Sequence, residues 1–224
     1  YLRKTWAEGY HDINKVMDFV KSDERRTQLP TSSKEYMNFL PTNKFTIPVD
    51  KDKVLRNGTV LAEFSDLVPE QMNWTIKGGA VMKAKMMILD LMATNKWERP
   101  IYFAITVGSE HYMNLEDYFQ LEGLAYKVTP VKHKNTGGTG HINIDKMYNN
   151  LVNKFQWGNM EKEGVYLDEQ VMRMTQNYQS NFARLARELI AKGDIDRGVK
   201  TLDKCMEIMP PHRVPVGYSS LFIA

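Results

Sequence analysis

The side chains best placed to meet a ligand lie between residues 98 and 117: Glu98 and Arg99, then His111 and Tyr112, then Glu116 and Asp117. Carboxylates and a guanidinium beside an imidazole and a phenol suit a polar molecule. Ligands of open α/β sheets bind beyond the carboxyl ends of the strands, and residues 107–121 are expected to border such a crevice. The simpler alternative gives Glu116 and Asp117 to the N-terminus of a short helix and pairs Glu98 with Arg99 in a turn. Tyr102, Phe103, Tyr118 and Phe119 could stack on a sugar ring or fill a core.

No catalytic residue is assigned. Ser109, Glu110 and His111 are adjacent and cannot form a triad, and the chain has no Gly-x-Ser-x-Gly elbow. His11, His111, His133, His141 and His212 lack the close spacing of a zinc site, so neither metal nor cofactor is expected. TGGTG at 136–140 could offer amides to a phosphate. No Lys-Ser or Lys-Thr pair follows it, which favours a surface linker. Cys205 falls on an apolar helical stripe and reads as a small buried residue.

The element that must position these residues is 83–107, KAKMMILDLMATNKWERPIYFAITV. Ala84, Met87, Ile88, Leu91 and Met92 recur at helical spacing. Pro100 prevents helix from continuing through Arg99. The uncharged, apolar run 101–107 suits a strand covered on both faces, as in a parallel sheet. Upstream, Met72, Trp74 and Ile76 alternate with polar residues, so 72–107 is expected to form a right-handed strand–helix–strand unit.

Ahead of this segment, 9–21 carries Ile13, Val16, Met17 and Val20 on one helical face, with Asp12 near its start. Phe45, Ile47 and Val49 alternate as a strand that Pro48 assigns to an edge. Asn57-Gly58 predicts a hairpin between Val54-Leu55 and Val60-Leu61. After it, 115–121 reads as a short helix capped by Asn114, 124–131 as a strand, and 145–155 as an amphipathic helix carrying Met147, Leu151, Val152 and Phe155. Two apolar stripes follow, Phe182, Leu185, Ala186, Leu189 and Ile190, then Val199, Leu202, Cys205, Met206 and Met209. With Gly193 at the break, Gly198 at the small position and Pro210 at the end, their register is that of a tetratricopeptide repeat. One such unit cannot bury its own face. Val199, Leu202, Met206, Leu221 and Phe222 are therefore candidates for binding a partner.

The fold class expected is α/β: a small, mainly parallel sheet with flanking helices over 1–134, a loop at 135–145, and a tetratricopeptide-like helical tail over 146–224. The 224 residues are 42% hydrophobic, enough for a core, and carry a formal charge of +3 without a long basic run. That argues against nucleic acid as the partner. No apolar stretch approaches the roughly 20 residues of a membrane span. A lone cysteine excludes an internal disulfide and fits cytoplasm or periplasm alike. Tyr1 and the interrupted apolar pattern at 221–223 suggest a piece of a longer protein.

The run ATNKWERPIYFAITVGSEHYMNLEDYFQLEGLAYKVTPVK (93–132) resembles the C-terminal soluble region of the large Bacteroidetes membrane proteins that carry the DUF2723 domain. These are also described as glycosyltransferase family 117 and are similar to protein O-mannosyltransferases. MDFVKSDERRTQ (17–28), FTIPVDKDKV (45–54), MYNNLVNKFQWGNM (147–160) and NFARLARELIAKGDIDRGVKTLDKCMEIMP (181–210) extend the resemblance over nearly the whole chain. It implies a multi-span enzyme using a lipid-linked sugar donor, with catalytic carboxylates in a membrane part that this chain lacks. The chain would then sit on the periplasmic face of the bacterial inner membrane, tethered through that part. Its partners would be its own membrane domain and acceptor proteins or glycans. The rivals are a stand-alone α/β enzyme with a small ligand, and a repeat scaffold without a role in glycosylation.

Overall fold

The computed structural model describes residues 2–32, 35–78, 81–133 and 138–216. They form two compact units interleaved along the chain, one of 1–101, 108–118 and 128–133, the other of 102–107, 119–127 and 134–224.

The first unit contains β1 (His11–Asp12), α1 (Ile13–Lys21), β2 (Gln28–Pro30), β3 (Tyr36–Asn38), β4 (Lys44–Pro48), α2 (Lys51–Arg56), β5 (Gln71–Thr75) and α3 (Lys83–Asn95). β4 is the centre of a three-stranded sheet in the order β1-β4-β5, parallel to β1 and antiparallel to β5. β2 and β3 form a separate antiparallel ribbon. Asp12 caps α1 through its carboxylate, which accepts from the Asn14 amide at 2.7 Å. The helix buries Ile13, Val16 and Met17. Phe45 and Trp74 stack at 5.2 Å inside the sheet's apolar face, and each such burial contributes about 1.5–3 kcal/mol.

The second unit contains β6 (Tyr102–Ala104), β7 (Phe119–Leu121), β8 (Ala125–Val128), β9 (His141–Ile142), α4 (Ile144–Tyr148), α5 (Glu169–Ala191) and α6 (Ile195–Ile208). Its sheet runs β6-β8-β7-β9, with β6 antiparallel to β8 and β7 parallel to β9. Beyond Tyr148 the helix widens into a π-helical stretch, Asn149–Lys154. α5 and α6 form the expected hairpin. Phe182, Leu185, Ala186 and Leu189 of its first helix are buried. Gly193 turns the chain at φ +84, a conformation that costs an L-residue about 1–2 kcal/mol. A Cβ on Gly198 would lie 2.8 Å from Ile190 Cγ1, so the small residue permits the close approach of the two helices.

Several expectations fail, each for a local reason. The sheets are mixed, not mainly parallel: the five-residue β4–β5 ladder is antiparallel and the parallel pairings span two residues each. β5 and β6 belong to different sheets, so the described residues of 72–107 do not form the expected strand–helix–strand unit. The strand expected over 101–107 is three residues long, at a sheet edge. Its backbone turns after Ala104, whose carbonyl accepts from the Val107 amide at 3.0 Å. The buried side of α3 carries Leu89, Met92 and Ala93, while Met87 and Leu91 are exposed. Of the face expected from spacing, Ala84, Met87 and Leu91 are exposed, Ile88 is half-buried and only Met92 is buried, because apolar residues lie nearly all round this helix and spacing does not select among them.

Asn57-Gly58 ends α2 and does not turn a hairpin. Asp50 accepts from the Lys53 amide at 3.0 Å and starts a helix, so Val54 is buried from a helix rather than a strand. Residues 115–121 give a 3-10 turn, Glu116–Tyr118, followed by β7. Asn114 does not cap a helix there, because its side chain accepts from the Lys77 amide at 2.7 Å. Pro48 lies on β4, a central strand, but β1 pairs only as far as Thr46. The missing N–H of Pro48 therefore faces an unpaired side, consistent with the chemistry that suggested an edge.

Candidate functional site

The expected ligand residues all lie in the first unit. Glu98 is held by Lys53 Nζ at 2.5 Å, not by Arg99. That hydrogen bond and charge lower its pKa. Arg99 closes the turn after α3 through its backbone. Its N–H donates to Asn95 Oδ1 at 3.2 Å, and its carbonyl accepts from Asn95 Nδ2 at 2.7 Å. Trp97, left-handed at φ 59, is buried with Nε1 donating to the Pro48 carbonyl. His111 is exposed at the end of a 3-10 turn, 3.5 Å from the Glu110 carboxylate. Tyr112 is buried. Glu116 and Asp117 start the 3-10 turn that leads into β7. The two clefts described below are lined by other residues. Of the four aromatic residues considered for sugar stacking, Phe103, Tyr118 and Phe119 are core, and Tyr102 donates its hydroxyl to Glu122.

The densest polar chemistry lies in the second unit and centres on Glu122. This carboxylate is 4% exposed and Lys127 is 2% exposed. β7 runs into Glu122, and the turn at Gly123 brings the chain back through β8, placing Lys127 beside it. Lys127 Nζ lies 2.7 Å from Glu122 Oε1, which also accepts from Gln120 Nε2 at 2.8 Å. Lys146 from α4 and the Tyr102 hydroxyl from β6 each reach Oε2 at 2.7 Å. Asn150 Nδ2 donates to the Glu122 carbonyl at 2.7 Å. Burial opposes the charge of Glu122, but the hydrogen bonds from Lys127, Lys146 and Tyr102 outweigh it and hold the carboxyl down at about 2. Burial likewise lowers Lys127, with Glu122 pulling the other way. A carboxylate so fully engaged is ionised at neutral pH and has no oxygen left for proton transfer. It joins β6, β7, β8 and α4. Sequence reasoning missed it, although one signal was present: opposite charges set within apolar runs on either side of Gly123.

A second cluster lies along α5. Arg184 Nη2 donates to the Thr139 and Gly140 carbonyls at 2.9 and 3.0 Å, and the guanidinium bonds to Tyr126. Burial lowers its pKa, while Tyr126 and then Glu188 raise it. Arg184 lines a cleft of about 280 Å³ with Arg187, Asn177, Ser180, Asn181 and Thr139. A larger cleft, about 460 Å³, is aromatic, with Phe155, Trp157, Tyr166 and Tyr178 on its walls. Cys205 on α6, expected to be buried, is half-buried, and its surroundings push the thiol up to about 12. Among the expected partner-binding residues, Val199, Leu202 and Met206 lie together on α6. Val199 is 49% and Met206 47% exposed, with Ile195 beside them. Leu221 and Phe222 lie outside the described residues. So do residues 136 and 137 of the glycine-rich run.

The geometry defines a mixed α/β domain whose most deeply buried polar centre is braced internally, continued by a helical hairpin with an apolar outer face. The family described as TMEM260-associated domain 2 matches residues 1–146, and the chain belongs to that family. Its name ties the domain to the setting of a membrane protein. No helix among the described residues is long and apolar enough to cross a membrane. No curated protein and no solved structure matches the chain.

Proposed function

We propose that this chain is a non-catalytic, extracytoplasmic domain of a polytopic membrane glycosyltransferase resembling the DUF2723, or family 117, proteins and the protein O-mannosyltransferases. On this reading it sits on the periplasmic face of a bacterial inner membrane and docks acceptor proteins for its own membrane domain. The observation that carries the reading is the family match across residues 1–146, which associates the domain with a membrane protein. The resemblance over 93–132 supplies the glycosyltransferase branch. Two features support a non-catalytic role. Glu122 is saturated by donors from four elements, and Cys205 is held protonated far above neutral pH.

The docking surface is the outer face of α6. Ile195, Val199 and Met206 expose apolar area at helical spacing, as expected where a repeat awaits a further repeat or a partner. The same face favours, as second reading, a tetratricopeptide scaffold without a part in glycosylation. A double substitution, Val199→Glu with Met206→Glu, tests docking in the full-length membrane protein. It should lower transfer to a folded acceptor protein about tenfold, while transfer to a short peptide acceptor and the melting temperature stay unchanged. Undiminished transfer to the folded acceptor would refute the docking role. Loss of partner binding in a parent with no glycosyl transfer at all would favour the scaffold.

A further inference from the structure

We propose that the cleft along α5 is a binding site for a small hydroxylated anion, a sugar acid or sugar phosphate of monosaccharide size. The argument starts with Arg184. The residue is half-buried, and its closest partners are neutral oxygens: the carbonyls of Thr139 and Gly140 and the Tyr126 hydroxyl. Buried cations ordinarily meet a carboxylate. Among the described residues neither Arg184 nor Arg187 forms an ion pair with one. Glu188, the carboxylate whose charge Arg184 feels, is one turn further along the helix and does not line the cleft.

Arg187 stands one helical turn from Arg184 and lines the same cleft, exposed. Two guanidiniums at this spacing can grip one planar or tetrahedral oxyanion through paired N–H donors. Asn177 and Ser180 continue the same face towards the helix N-terminus, adding an amide and a hydroxyl. Asn181, buried, is anchored through Nδ2 to the Gly123 carbonyl at 2.8 Å. Thr139 and Tyr126 complete the polar wall.

The opposite rim is shaped to fit. Gly138 has φ +142, and a Cβ there would fall 2.9 Å from Arg184 Cζ. The backbone can approach the guanidinium only because no side chain intervenes. Arg184 is thus fixed from one side by the 138–140 loop, leaving Arg187 to close on a ligand from the other. The volume, about 280 Å³, lies just below the roughly 300–1,000 Å³ typical of ligand clefts. It suits a monosaccharide and not an extended chain. The inference is independent of the docking role of α6.

The test is titration of the whole chain with glucuronate, glucose 6-phosphate, glucose and inorganic phosphate, followed by amide chemical shifts and calorimetry. At least one sugar anion should bind, with shifts confined to residues around 138–140 and 177–187. Binding should weaken as sodium chloride is raised. Glucuronate and glucose 6-phosphate separate the carboxylate source from the phosphate source. Arg187→Gln, at an exposed position, should keep the melting temperature and weaken binding at least about tenfold, the scale of losing a charged hydrogen bond. Absence of shifts with both sugar anions would overturn the proposal. So would equal binding of glucose, equal binding of inorganic phosphate, or undiminished binding by the variant.

Discussion

At Glu122 one carboxylate meets two ammonium groups, a phenol and an amide. Replacing one member of a buried pair strands the other, at a cost of about 3–5 kcal/mol. Glu122→Gln should therefore lower the urea midpoint sharply by leaving Lys127 buried and unpaired. Glu122 also sets a pH dependence. Its folded pKa, about 2, lies below the ordinary carboxyl value of 4.5. Its stabilisation is fully present above about 4.5 and fades as pH falls towards 2. Denaturant midpoints from pH 6 down to pH 2 should show this acid loss in the native chain and much less of it in Glu122→Gln. The hub was only partly legible in the sequence. Glu122 and Lys127 stand out as charges in apolar surroundings, but a linear reading cannot tell that a turn at Gly123 makes them neighbours. Most of the six residues chosen for their chemistry were conspicuous for the opposite reason: charge near turns is visible in a sequence, whereas the pairing of Glu98 with Lys53, 45 residues away, is not.

Among the elements, the ones legible in advance were those with a cap and a clean period. α1 follows Asp12 and buries Ile13, Val16 and Met17 of its expected stripe, with Val20 half-buried; α6 follows Asp194 but buries Gly198, Thr201 and Ile208, while Val199 and Met206 of its expected stripe are exposed. Asp194 accepts from the Arg197 amide at 3.2 Å and pairs with Arg197 Nε at 2.6 Å. Asp194→Ala should cost about 1 kcal/mol, read as a lower thermal midpoint. Gly193→Ala should cost about as much, because its φ of +84 strains any Cβ. Gly198→Leu should cost about 1–3 kcal/mol by forcing Ile190 away. These three changes bear on the hairpin and should leave the β4–β5 ladder protected in amide hydrogen exchange. The elements misread were short: 3-10 turns, two-residue strands and the single turn and a half of α2. Their identity is set by one backbone bond or one cap, such as Asp50 to Lys53, and periodicity has no purchase on so few residues. α3 was the converse case, a long helix correctly placed whose abundant apolar residues concealed which side was buried.

For the molecule as a whole, interleaving was the feature least legible. Residues 102–107 and 119–127 join a unit that otherwise begins at 134, while 108–118 and 128–133 return to the first. Such exchange depends on long-range strand pairing, which no local signal encodes. What was legible is the class: a mixed α/β body with a helical hairpin whose α6 face remains apolar. Family membership links that body by name to a membrane-protein context, and the buried Glu122 and Lys127 are occupied in holding it together. The central claim is that bond-making belongs to the membrane part of the parent. The most direct test assays sugar transfer from a lipid-linked donor to a protein acceptor, in parallel for this chain alone and for the full-length membrane protein. The account predicts transfer by the full-length protein and none by residues 1–224. Turnover by the isolated chain would contradict it.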